Sequence, residues 1–144
     1  MQRRDWALLA LAAAAGEELT PVQLQKVLFL VGECQRNKVG GGFYAFRPYN
    51  FGPFSADVYS DAEQLEREGL ARIDRGAPGR SWSLYAITPE GNARAREVAL
   101  EAPQGLPEYI GRLVAWARPL TFQQLVSAVY RAYPDQRKNS IFID

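Results

Sequence analysis

The sequence contains no histidine and a single cysteine. Without histidine the chain has no side chain that ordinarily titrates near neutrality, and the usual zinc, haem and histidine-based acid–base sites are excluded. One cysteine, Cys34, cannot form an internal disulfide, and with no histidine to act as its base it does not read as a nucleophile. Near the end of an apolar helical run, it is expected to be a small buried hydrophobe. A surplus of either charge is missing too. Seventeen basic side chains stand against 16 acidic ones, a formal net charge of +1, so any attraction to a polyanion needs a local patch. The one apolar run, residues 6–15, follows Arg3-Arg4 and imitates a secretory signal. Asp5 breaks that pattern, and the run is far shorter than the roughly 20 residues of a membrane span. It is expected to be a buried helix of a cytoplasmic protein with no membrane partner.

What is present suits a single domain over residues 1–144, with 47% hydrophobic residues to build a core. After the first helix stops at Gly16, Thr20-Pro-Val-Gln23 supplies a cap, a first-turn proline and a side chain able to reach back. Leu24, Val27, Leu28 and Val31 then form one apolar face, widened by Phe29 and Leu30, which predicts a central helix. Lys38-Val-Gly-Gly-Gly42 breaks the chain, and its three glycines lack the spacing of a phosphate loop. Residues 43–47 alternate as a short strand does; Gly52-Pro53 reads as a turn and Ser55 as the cap of the next helix. Val58, Ala62 and Leu65 mark that helix's buried stripe, and Gly69 ends it. Segments 70–74 and 82–87, joined by a loop rich in glycine and proline with Arg75 and Arg80, read as a hairpin. Thr88-Pro89 starts a further helix, and two amphipathic helices follow. The expected fold is mainly α (α+β), a helical domain with a winged-helix-like β-hairpin. Its winged-helix-like part covers about 20–88, a C-terminal helical part about 89–138 and a short tail 139–144, which either pairs as a strand or lies against the body.

Leu24-Gln-Lys-Val-Leu-Phe-Leu30, Phe43-Tyr-Ala-Phe46, Tyr49-Asn-Phe-Gly-Pro-Phe-Ser55 with Val58-Tyr59 and Leu65, and Glu68-Gly-Leu70 follow one another in order. This succession resembles the SocA-like antitoxin domain, also called Panacea, and the related YwgA-like bacterial and archaeal proteins. Tyr130-Arg-Ala-Tyr-Pro134 and Asn139-Ser140 resemble the YwgA-like group. The resemblance runs from about Leu24 to Gly69, with a weaker echo at the end. It implies a helical domain with a winged-helix-like element, acting beside toxins and other defence genes as an antitoxin or adaptor, with no catalytic residue to carry over.

Three functions are weighed on the residues themselves. In the first, Tyr49, Phe51 and Phe54 offer aromatic anchors to a protein partner, and Asp57 and Asp61 on the acidic helix face a basic one. Packing would instead fold two of the three rings under the hairpin. In the second, a winged-helix regulator binds DNA through the helix before the hairpin and through Arg72, Arg75 and Arg80. That helix carries Asp57, Asp61, Glu63, Glu66 and Glu68 against Arg67 alone, the wrong sign for a groove lined with phosphates. Another face, with Arg3, Arg4, Arg36 and Lys38 together, would be the remaining route. In the third, Asp57 and Asp61, four residues apart, hold Mg²⁺ as in a carboxylate nuclease. Trp6, Trp82 and Trp116 read as core or hairpin residues, and Tyr130 and Tyr133 extend an apolar face that could pair two copies. The expectation is a protein-binding domain without catalysis, cofactor or metal.

Overall fold

A computed structural model describes residues 1–143 as mainly α with a small β component. Helix α1 (Arg4–Ala13) is buried from Arg4 through Leu11, on every face. A short helix that is apolar all round has to be enclosed, and α1 packs against four other helices. The first of these is α2 (Pro21–Cys34), which starts as its sequence predicts. Thr20 Oγ accepts from the Gln23 amide at 3.2 Å, and Gln23 Oε1 accepts from the Thr20 amide at 2.9 Å. Leu24, Val27, Leu28 and Val31 are fully buried. A single turn of helix, α3 (Arg36–Val39), occupies part of the expected glycine break.

Residues 43–46 form no strand. The strands are β1 (Arg47–Tyr49) and β2 (Gly52–Phe54), an antiparallel pair that turns at Asn50-Phe51. Gly52-Pro53, expected as the turn, therefore lies within a strand. Helix α4 (Ala56–Arg67) follows, then β3 (Ala71–Asp74) and β4 (Leu84–Ile87) as the predicted hairpin. Leu19 and Tyr85 exchange backbone hydrogen bonds at 2.8 and 2.9 Å, adding a third extended segment beside β4. Helix α1 and Leu19, ahead of residue 20, thus pack with the β3–β4 hairpin and with the helices that follow.

Helices α5 (Pro89–Glu101), α6 (Leu106–Ala117) and α7 (Phe122–Ala132) complete the fold, with a 3-10 turn (Pro134–Arg137). The main core is continuous across the expected boundary at residue 88: Leu8, Leu28, Leu65, Val98, Ile110 and Leu125 belong to one cluster. Burying each such side chain contributes about 1.5–3 kcal/mol. The described part of the tail, residues 139–143, lies against the body without forming a strand, and Asp144 lies outside the described residues. Ile141 donates its amide to the Asn50 carbonyl at 2.9 Å, and Ser140 Oγ accepts from Tyr130 at 2.6 Å. Tyr130 is buried, and the partly buried Tyr133 meets Phe29 edge-on at 5.0 Å, so both rings pack within the molecule. Cys34 is exposed, contrary to expectation, with its Sγ 3.7 Å from the Tyr133 hydroxyl.

Gly91, in the first turn of α5, shows how closely that helix meets the hairpin. A Cβ there would stand 1.9 Å from the Leu70 carbonyl oxygen, which a rigid backbone cannot yield. Gly91→Ala is expected to cost about 2–4 kcal/mol in urea unfolding, whereas Gly111→Ala, in open space on α6, should gain up to about 1 kcal/mol from helix propensity. Equal effects at the two sites would contradict this packing.

Candidate functional site

The β1–β2 corner is built from residues that rarely suit a strand. Pro48 stands opposite Pro53, between the pairs Tyr49–Gly52 and Arg47–Phe54. In an antiparallel ladder the pairs that exchange hydrogen bonds alternate with pairs that do not. The pair closing the turn exchanges them, so both prolines fall where no N–H is called for. Gly52 has φ +101°, and a Cβ on it would meet the Tyr130 ring at 3.3 Å. The corner thus needs glycine for its backbone and for the close approach of α7.

Two neighbouring side chains of α2 hold this corner. Gln25 donates Nε2 to the Ser55 carbonyl at 2.9 Å and accepts the Ser55 amide at 3.0 Å. This clasp replaces the expected side-chain cap, since Ser55 makes no capping bond of its own. Lys26 donates to the Pro53 carbonyl at 3.1 Å. Its residue is only 4% exposed, and burial pushes the ammonium down from 10.5 to about 8.

Above these residues lies a groove of about 600 Å³ between the start of α2, the β1–β2 corner, Trp82 and the start of α7. It is lined by Val22, Tyr49, Phe51, Phe54, Phe122 and Leu125 among others, and Lys26 is the one charged side chain among the described lining residues. Its rings meet in two sets of contacts. Tyr49 meets Phe54 at 5.0 Å and Phe54 meets Tyr59 at 5.7 Å, while Phe51 meets Phe122 edge-on at 5.1 Å. Tyr49, Phe51 and Phe122 are 38–45% exposed, and Trp82 is 50% exposed. The packing expectation, which buried two of the three corner rings, is not met: Phe54 alone is half-buried. Trp116 is also exposed.

The acidic helix has a different fate. Arg3 grips Asp61 with Nε and Nη2 at 2.9 and 3.0 Å and reaches Asp57 with Nη1 at 3.1 Å. Tyr44 donates its hydroxyl to Asp61 at 2.8 Å, and its own ionisation is pushed strongly upward by burial and by that carboxylate. The hydrogen bond to Asp61 likewise raises Arg3 further. Asp61, expected as a partner contact, is only 6% exposed. One guanidinium occupies both carboxylates weighed as a Mg²⁺ pair, and no group of three potential ligand residues forms a metal cluster among the described residues. Arg4 bonds Glu68 at 3.0 Å.

In the loop between β3 and β4, Arg75 makes a two-pronged bond with Glu66 at 2.6 and 2.8 Å, holding that carboxyl below its usual range. Arg80 pairs with Asp74 at 2.9 Å, while Arg72 is exposed. The alternative basic face does not assemble either, because Arg3 and Arg4 are engaged by α4 and its end, Arg36 bonds Glu33, and Lys38 donates to the Gln104 carbonyl. The structure thus brings Tyr49, Phe51 and Phe54 to one groove and leaves Asp57, Asp61, Arg72, Arg75 and Arg80 outside it. Sequence reasoning missed Lys26, Trp82 and Phe122. A signal existed for the first: Lys26 is the only charged residue from Pro21 through Gly32.

No family model matches the chain, and no curated protein matches it. Among the described residues no helix is long and apolar enough to cross a membrane.

The lowered pKa makes Lys26 a measurable probe of the groove. Between about pH 8 and 10.5 the unfolded chain binds a proton here that the folded chain has released, so this group's contribution to stability rises with pH across that window. Lys26→Met abolishes the dependence. Relative to the variant, the wild type should therefore gain about 2–3 kcal/mol between pH 7 and pH 10 in urea unfolding. A difference that stays constant with pH would show that the ammonium is not desolvated.

Proposed function

We propose that this protein is a non-catalytic protein-binding module of the antitoxin or adaptor kind, working in the cytoplasm within a bacterial toxin–antitoxin or defence system, and that the aromatic groove is its docking surface. The observation that carries the reading is the concentration of partly exposed rings from Tyr49, Phe51, Trp82 and Phe122 around one apolar groove. Large rings give contact area at little entropic cost, and such residues dominate the energetics of protein interfaces. The resemblance of residues 24–69 to the SocA-like and YwgA-like proteins points the same way, since two of these rings lie inside the Tyr49-to-Ser55 motif.

A winged-helix DNA-binding regulator is the second reading. It gains from one observation: arginines from outside α4 pair with Asp57, Asp61, Glu66 and Glu68, so that helix repels phosphates less than its own charge count implies. It loses from another, because Arg75 and Arg80, needed for the wing to reach a phosphate, are already paired within the protein.

Capture from the native host separates the two. The tagged wild type should retain a protein partner that Phe51→Asp with Phe122→Asp loses, each anchor being worth about tenfold or more in affinity. Arg75→Glu with Arg80→Glu should leave capture intact and no salt-sensitive DNA shift should be seen. Co-purification of DNA without protein, or a DNA shift abolished by the arginine variant, would overturn the docking proposal in favour of the regulator.

A further inference from the structure

Four of the groove's polar side chains are spent inside the protein. Gln25 uses both ends of its amide on Ser55, and Gln23 uses both on Thr20 and the Arg118 carbonyl. Thr20 and Thr121 cap their own helices. Lys26 is different. Its ammonium has three protons to donate, the Pro53 carbonyl takes one, and no carboxylate among the described residues pairs with it. A buried charge without a counter-ion is costly, and a cation of this kind within an otherwise uncharged apolar groove is complementary to an anion arriving with apolar surroundings.

We propose, resting on the docking reading above, that the groove recognises a partner polypeptide by a carboxylate set among apolar side chains, with Lys26 as its counter-ion and the rings of Tyr49, Phe51, Phe122 and Trp82 holding the flanking residues. The ammonium's depressed titration fits this assignment, because a carboxylate brought against it restores the charged form and binding is accompanied by proton uptake above about pH 8. The acid is supplied by an Asp or Glu side chain of the partner. A lysine whose role were only to tie down Pro53 would show none of this selectivity.

Selection from a library of short random peptides tests the assignment directly. The wild type is expected to retain apolar peptides enriched in Asp or Glu over the input, whereas Lys26→Met and Lys26→Gln, the latter keeping a donor for Pro53, retain apolar peptides without that enrichment. For the best peptide, followed by fluorescence anisotropy, replacing its carboxylate by the amide should weaken binding to the wild type about tenfold or more and leave binding to the variants unchanged. Selected peptides without acid enrichment, or an equal loss in wild type and variants, would refute the carboxylate anchor while leaving the groove a docking site. A wild type that selects no peptide removes the docking site itself, and the anchor with it.

Discussion

Two adjacent polar side chains on a buried helix hold the part of this molecule on which everything else is mounted. Gln25 and Lys26 bind the backbone of Ser55 and Pro53, so the β1–β2 corner and the first residue before α4 are tied to α2. Amide and ammonium groups are expensive to bury unless they find partners, and here the partners are backbone groups that the hairpin would otherwise leave unpaired. The clasp sets where the aromatic rings stand relative to α2 and α7, and the groove is the space left between them. Pro48, Gly52 and Pro53 make that corner rigid through their restricted or unusual backbone angles, and a rigid corner presents rings without losing much entropy when a partner binds.

Electrostatics around α4 is directed inward. Helix α4 carries five carboxylates counting Glu68, yet Arg3, Arg4 and Arg75 come from outside the helix to meet four of them. The exposed pairs add little stability singly, whereas the Asp61 carboxylate is buried and bonded by both Arg3 and Tyr44, which ties the start of α1 to α4. A surface whose charges are mutually satisfied attracts neither a polyanion nor a strongly basic protein. On the docking reading proposed above, recognition rests on the apolar groove and not on the charged helix, and Lys26 is the one charged residue among the described lining residues.

The fold was legible in sequence to a large extent because its signals are local. Thr20-Pro21 and Thr88-Pro89 mark helix starts through bonds within one turn, and both caps are present. The 70–87 hairpin follows from its turn residues. The corner is not legible in sequence because Gly-Pro ordinarily marks a turn, and only the register, which sets Pro48 against Pro53, shows that neither N–H is needed in the strands. Cys34 was misplaced because an apolar stretch of sequence does not say which face of a helix end meets solvent.

The sequence by itself determined the classes of chemistry open to the chain, through its lack of histidine and its lone cysteine, and it determined the helices and wing hairpin, through short-range periodicity, caps and turns. Only the tertiary structure decided which charges are free. Whether Asp61 meets solvent or Arg3, and whether Lys26 reaches water or an apolar groove, depends on contacts between segments tens of residues apart, such as Arg3 with Asp61 and Lys26 with Pro53. A side chain's charge can be counted along the chain, but the dielectric and the counter-ion that give that charge its effect exist only once distant segments pack together.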